Sequence, residues 1–170
     1  GIYNLIHNLS PMHVTKTEVT IATLLRDAGY QTCHVGKWHL NGRFNLPGQP
    51  QPNDHGFDHW FATQNNALPN HRNPENFVRN GKELGALKGY SAELVAEEAV
   101  GWLREQRDPS KPFFLFACFH EPHEPIASAA KYQRLYSNED PAYVAHHGNI
   151  SQLDGGFGHL LDAVKQLGLQ

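Results

Sequence analysis

Two short stretches of this chain bring together residue types that manage charge and protons. Lys37 and His39 lie two apart, directly after the β-prone run Tyr30-Gln31-Thr32-Cys33-His34-Val35-Gly36. That spacing lets both side chains project to the same side of one crevice. An ammonium beside an imidazole suits an oxyanion, because the lysine neutralises charge while the histidine gives or takes a proton. The plainer alternative is a surface lysine and a hydrogen-bonded histidine at a strand end. The second stretch is His120-Glu121-Pro122-His123-Glu124-Pro125, where an apolar run stops abruptly. His-Glu begins the H-E-x-x-H zinc motif, but here the second histidine is at +3, and Pro122 and Pro125 forbid the helix that motif needs. What remains is a loop presenting imidazoles at a strand end, or a proline-stiffened loop whose histidines simply face solvent.

Other clusters carry less. Asp54-His55-Gly56-Phe57-Asp58-His59-Trp60 alternates carboxylates and imidazoles as a metal site would, yet reads better as a turn with Phe57 and Trp60 as buried anchors. His146 and His147 are adjacent on an expected helix, where neighbours diverge by about 100° and do not share a ligand. Gln64-Asn65-Asn66 offers amides to a polar substrate, or caps turns. There is no Ser-His-Asp signature, no phosphate-cradling glycine loop and no C-x-x-C. Cys33 and Cys118 sit inside apolar segments, where buried reduced thiols are the expectation.

Local patterns define the helices and strands that carry these residues. Thr15-Lys16-Thr17-Glu18 fits a capping box, with Ile21, Leu24, Leu25 and Ala28 as the apolar face of a helix at 16–28 that stops at Gly29. A strand over 30–36 comes next. Residues 40–90 hold many Gly, Pro and Asn without a sustained period, the mark of a functional or disordered insertion. Ser91 caps a second helix with Ala92, Val95, Ala96, Ala99, Trp102 and Leu103 on its apolar face. The run 112–119 is apolar without alternation, as in a parallel strand buried on both faces. Asp140 and Pro141 open a long helix with Ile150, Leu153, Phe157, Leu160, Leu161, Val164 and Leu167 on one side, weakened by Gly155, Gly156 and Gly158. This order predicts an α/β fold, part of a mostly parallel sheet flanked by helices. In such sheets the ligand crevice lies beyond the C-terminal strand ends, where both Lys37–His39 and 120–125 fall.

Composition narrows the function classes. The chain has 170 residues, the size of one domain, with 14 Lys and Arg against 17 Asp and Glu and a net charge of -3. A sequence pI near 6.5 with scattered cations gives no nucleic-acid footprint. The longest clean apolar run, 113–119, is far short of the roughly 20 residues of a membrane span. Twelve histidines outnumber the lysines, a hint of proton or metal chemistry.

Together these segments resemble the sulfatase family, within the alkaline-phosphatase-like superfamily. Residues 20–30 followed by Val35-Gly36-Lys37-Trp38-His39-Leu40 are similar to its second signature, and His55-Gly56-Phe57-Asp58 to its next landmark. Pro112-Phe113-Phe114-Leu115 leading to Pro122-His123-Glu124-Pro125 resembles the strand and PH-x-P loop. Leu153-Asp154 with Gly158 and Leu160-Leu161 resembles the helix after it. The likeness runs in order through nearly the whole chain.

The resemblance implies hydrolysis of sulfate esters by a formylglycine, made from a Cys or Ser in a C/S-x-P-S-R motif and assisted by a divalent cation, usually Ca2+. It implies that Lys37 contacts sulfate and the nucleophile. It gives His39 a hydrogen bond to the formylglycine hydrate and a part in cleaving the sulfo-enzyme. His123 would contact sulfate and help protonate the leaving alcohol, while Asn66 or Asn65 lines the pocket. The substrate would be a small-molecule or saccharide sulfate ester, and the setting exported, periplasmic or lysosomal. Neither cysteine sits in C-x-P-S-R, and the Asp pair and Asp-Asn pair that hold the family's metal are absent. Gly1-Ile2-Tyr3 resembles the family's segment shortly after the nucleophile signature, and Gln170 stops before the Asp-Asn strand. The chain is therefore expected to be a single partial catalytic domain, 1–170, inactive alone, with the nucleophile and metal ligands in the rest of the protein. The alternatives are a phosphodiesterase or phosphonate hydrolase of the same superfamily, or a non-catalytic His-rich anion- or metal-binding module.

Overall fold

The computed structural model describes residues 6–169, so the expectations drawn from Gly1-Ile2-Tyr3 and Gln170 lie outside the described residues. Its elements run α1 (Ile21–Asp27), β1 (Gln31–Lys37), β2 (His59–Thr63), β3 (Val78–Arg79), β4 (Lys82–Glu83), α2 (Ser91–Gly101), β5 (Phe113–Cys118), α3 (Ala130–Gln133) and α4 (Pro141–Gln166). The sheet order is β4-β3-β2-β1-β5. β1 pairs in parallel with both β2 and β5, while β3 and β4 form an antiparallel extension. This is the predicted α/β architecture, in a mixed sheet whose parallel part, β2-β1-β5, forms one side.

Strand alternation splits the core. Cys33, Val35 and Phe61 pack with Val95, Ala99, Trp102 and Leu160 from α2, its π-helical continuation and α4. Trp60, Ala62 and Trp38 pack on the opposite face with Phe57 and Ala22 of α1. Glu98 of α2 clamps the sheet from below, accepting from Arg79 Nε and lying against His59 Nε2, each at 2.8 Å.

Five expectations are corrected. Helix α1 begins at 21 rather than 16, capped by Thr20, whose Oγ1 accepts from Thr23 N at 3.0 Å and donates to His55 O at 2.8 Å. That tether turns the small Ala22 inward, so Ile21 and Leu24, expected in the core, are 63% and 59% exposed. The segment 40–90 is loop-rich yet supplies β2, fully buried beside β1. Its short length and flanking turns hid it among glycines and asparagines. Ser91 is the first helical residue and not the cap. The buried carboxylate of Glu121 takes that part, accepting from Ala92 N at 2.9 Å and from the Ser91 hydroxyl. Strand β5 is half-buried, with Phe116 47% exposed, because among the described residues it lies at the sheet edge beside β1 alone.

The fifth concerns α4, capped by Asp140 as expected, which runs unbroken through its glycines. Its inward face is Gly148, Asn149, Gln152, Gly156, Leu160 and Ala163, while Ile150, Phe157 and Leu161 are exposed. Two contacts rotate it. A Cβ on Gly156 would sit 2.9 Å from Ala92 O, so the absent side chain lets α4 lie against α2. Asn149 Nδ2 and Gln152 Nε2 donate to Ala127 O, and Gln152 Oε1 accepts from Ala129 N. Hydrogen-bonded amides thus occupy a face that hydrophobicity alone assigned elsewhere.

Candidate functional site

The C-terminal ends of β1 and β5 approach too closely for any side chain between them. Gly36, at φ +102°, would place a Cβ 1.8 Å from the Cys118 carbonyl oxygen. Glycine is required there for both the backbone conformation and the space. One residue later Lys37 leaves β1, and two residues after Cys118 the histidine loop leaves β5, so both candidate stretches emerge side by side.

A single amide joins them. Asn66, on the loop after β2, accepts from Lys37 Nζ at 3.4 Å through Oδ1. Its Nδ2 lies 2.9 Å from His123 Nδ1 and donates to Glu124 O at 2.6 Å. Lys37, Asn66 and His123 therefore form one rim built from three strand ends. Lys37 is half-buried, and that burial lowers its pKa from the usual lysine value.

His39 completes the rim. Its φ of +54° is uncommon for a residue with a Cβ, a conformation that persists where surroundings enforce it. Here Trp38 N donates to Thr63 O at 3.0 Å and His39 N to Gln64 O at 2.7 Å, extending the β1–β2 ladder past the sheet. Its Nε2 lies 2.8 Å from Ile6 O. A carbonyl only accepts, so Nε2 carries the proton and Nδ1 is left as an acceptor. Burial and the Lys37 ammonium, in that order, lower the His39 pKa and favour this neutral form.

Beneath the rim lies a polar layer. His120 is 2% exposed, and burial holds its pKa down to about 3. Its Nε2 sits 2.8 Å from Thr63 Oγ1, which donates to Asn65 O at 2.7 Å, so this histidine braces the loop that carries Asn66. Fully buried His71 lies 3.9 Å from Glu121 Oε1, with Asn149 Nδ2 2.9 Å from its Nδ1. Of the four histidines and lysines named at the two strand ends, three reach the rim and His120 does not. Asn65 contributes a backbone carbonyl to the brace and lines a groove beside Asn66.

The remaining clusters stay apart. Asp54–Trp60 is a turn whose Phe57 and Trp60 are buried. His147 lies 2.6 Å from Glu139 on the far helix. Among the described residues no group of three or more His, Cys, Asp or Glu is arranged to hold a metal ion. Cys33 and Cys118 are unpaired, and burial raises both thiol pKa values, that of Cys118 to about 11. The described residues therefore do not fit the cation or the formylglycine. Thr63, His71 and Asn149 were missed, since no local spacing links Thr63 to His120, 57 positions away, or His71 to Asn149, 78 positions away.

Comparison with known proteins identifies the family. The sulfatase family model matches residues 1–170. The chain is 28% identical to an ulvan-active sulfatase of Formosa agariphila over 95% of its own length and 32% of the relative's. It is 32% identical to an N-acetylglucosamine-6-O-sulfatase of Bacteroides thetaiotaomicron, over 70% of this chain and 19% of that one. The crystal structure of Ps i-CgsB in complex with k-i-k-neocarrahexaose superposes with a TM-score of 0.82 at 24% identity, covering 97% of this chain and 40% of the other. The chain thus spans about a third of the length of the curated relatives it matches. With the family model matching from end to end, the chain belongs to the sulfatase family.

Proposed function

We propose that this chain is part of a single sulfatase catalytic domain and supplies the sulfate-holding rim of an enzyme that cleaves sulfate esters to an alcohol and sulfate. The observation that carries this reading is the Asn66 bridge, which draws Lys37 and His123 from separate strands into one rim in a chain of the sulfatase family. Lys37 opposes the charge of the sulfate oxygens, in a half-buried setting where one ammonium counts for more than in open water. His39, neutral with its Nδ1 free to accept, takes a proton. His123 Nδ1 lies 2.9 Å from Asn66 Nδ2 and 2.8 Å from Glu124 O, which only accepts, so Nδ1 carries a proton, and the imidazolium form supplies a second, from Nε2, to the leaving alcohol.

The nucleophile and the cation ligands belong, on this reading, to the rest of the protein; a formylglycine and Ca2+ would supply the attack on sulfur and further charge neutralisation. Relatives named for N-acetylglucosamine and N-acetylgalactosamine sulfates support a sulfated sugar as the substrate. The test is turnover of an aryl sulfate by the full-length protein and by its Lys37→Ala variant. Sulfate release that this change abolishes is the expected result. Phosphodiester hydrolysis without sulfate release would overturn the reading.

A further inference from the structure

A groove of about 490 Å³ opens beside the rim, within the size range of small-ligand sites. Asn66 belongs to both: it lines the groove and bonds Lys37 and lies against His123. A sulfate held at the rim would therefore direct its alcohol portion along this groove. The walls suit a sugar in two respects. Asn8, Asn45 and Phe44 line the groove, residue types whose amides suit sugar hydroxyls and whose aromatic ring suits an apolar sugar face. Charge is the further feature. Glu75 and Glu83, both exposed, stand in the wall, and among the described lining residues there is no lysine, arginine or histidine.

Rim and groove thus differ in charge, cationic where the sulfate sits and anionic where the alcohol lies. Resting on the sulfatase reading above, we propose that this groove is the sugar subsite and that Glu75 and Glu83 make it select sugars that are neutral or cationic, rejecting those with a second anionic group. A carboxylate or second sulfate on the ring would face two like charges at the groove wall, whereas a free amine would face opposite ones.

The experiment uses the full-length protein and a panel of 3-, 4- and 6-O-sulfated hexosamines, each with a free amine, an N-acetyl group or an N-sulfo group. At whichever position is cleaved, kcat/KM for the free amine should exceed that for the N-sulfo sugar about 10-fold, with the N-acetyl sugar between. In Glu75→Gln/Glu83→Gln the ratio should shrink to within about 2-fold, and Glu83→Lys should reverse it. Equal rates, a preference for the N-sulfo sugar, or a ratio that survives in the double variant overturns the proposal. So does cleavage of an aryl sulfate with none of the sugars cleaved, which leaves the sulfatase reading intact. Failure to cleave even the aryl sulfate removes that reading, and the subsite falls with it.

Discussion

The histidine loop after β5 divides within three residues into two regions with opposite physics. His123 stands on the open rim with Lys37, His39 and Asn66, where few contacts fix each side chain and solvent reaches the loop. His120 and Glu121 lie in the layer below, with Ser91, His71 and Asn149, and each gives one side of its polar group to the fold, His120 Nδ1 and Glu121 Oε2 being buried without a protein partner among the described residues. Residue type does not separate the regions, since both hold imidazoles and amides. Burial does: a charge-handling group surrounded by protein becomes a fixed support, while the same group at a rim stays available to a ligand.

Substitution sharpens that contrast. Lys37→Ala in the full-length protein should lower kcat on an aryl sulfate about 100- to 1000-fold, by analogy with removing one anion-stabilising group, with the thermal midpoint nearly unchanged. A fall in the midpoint matching the loss of rate would place Lys37 among the structural residues instead.

Glu121→Ala should do the reverse, removing about 3 kcal/mol of stability in urea unfolding, because the buried Ser91 hydroxyl and Ala92 N–H lose their acceptor. Stability unchanged alongside lost turnover would move Glu121 into the chemistry.

Acid should destabilise the fold through its buried histidines. Burial depresses His120 of the lower layer, and His34 of β1 among Trp38, Phe57 and Phe116, to about 3, below the value near 6.5 of an unfolded histidine. Their contribution is therefore complete above about pH 6.5 and is lost as pH falls toward 3, at about 1.4 kcal/mol per unit for each. Between pH 7 and 5 stability should drop by about 2 kcal/mol per histidine. His120→Gln should remove one share of that slope, and a flat profile in the unmodified protein contradicts the assignment. The smallest effect is expected from Ser91→Ala, about 1 kcal/mol, since Ala92 N still reaches Glu121. A loss as large as that of Glu121→Ala would mean the hydroxyl, and not the backbone amide, holds the carboxylate in place.

Much of the rim was legible in the chain itself. Lys37 and His39 come directly after one strand and His123 after another, and parallel strands deliver their C-terminal ends to one edge, so the three were placed together before any geometry was known. Between Asn65 and Asn66 chain order does not choose; the paired register of β1 and β2 brings residue 66 over Lys37.

Local patterns determined the start of α4 at Asp140 and Pro141, the course of β1 and β5, the buried anchors Phe57 and Trp60, and the order that makes an α/β sheet. These rest on interactions within a few residues, which sequence spacing encodes directly. Tertiary structure alone decided that β2 lies at the sheet's centre, that α4 turns Asn149 and Gln152 inward, and that Glu121 caps a helix thirty residues before it. It also parted His120 from His123. Each depends on which distant group fills a given space, a contest among partners 20 to 80 residues away whose outcome no local spacing records.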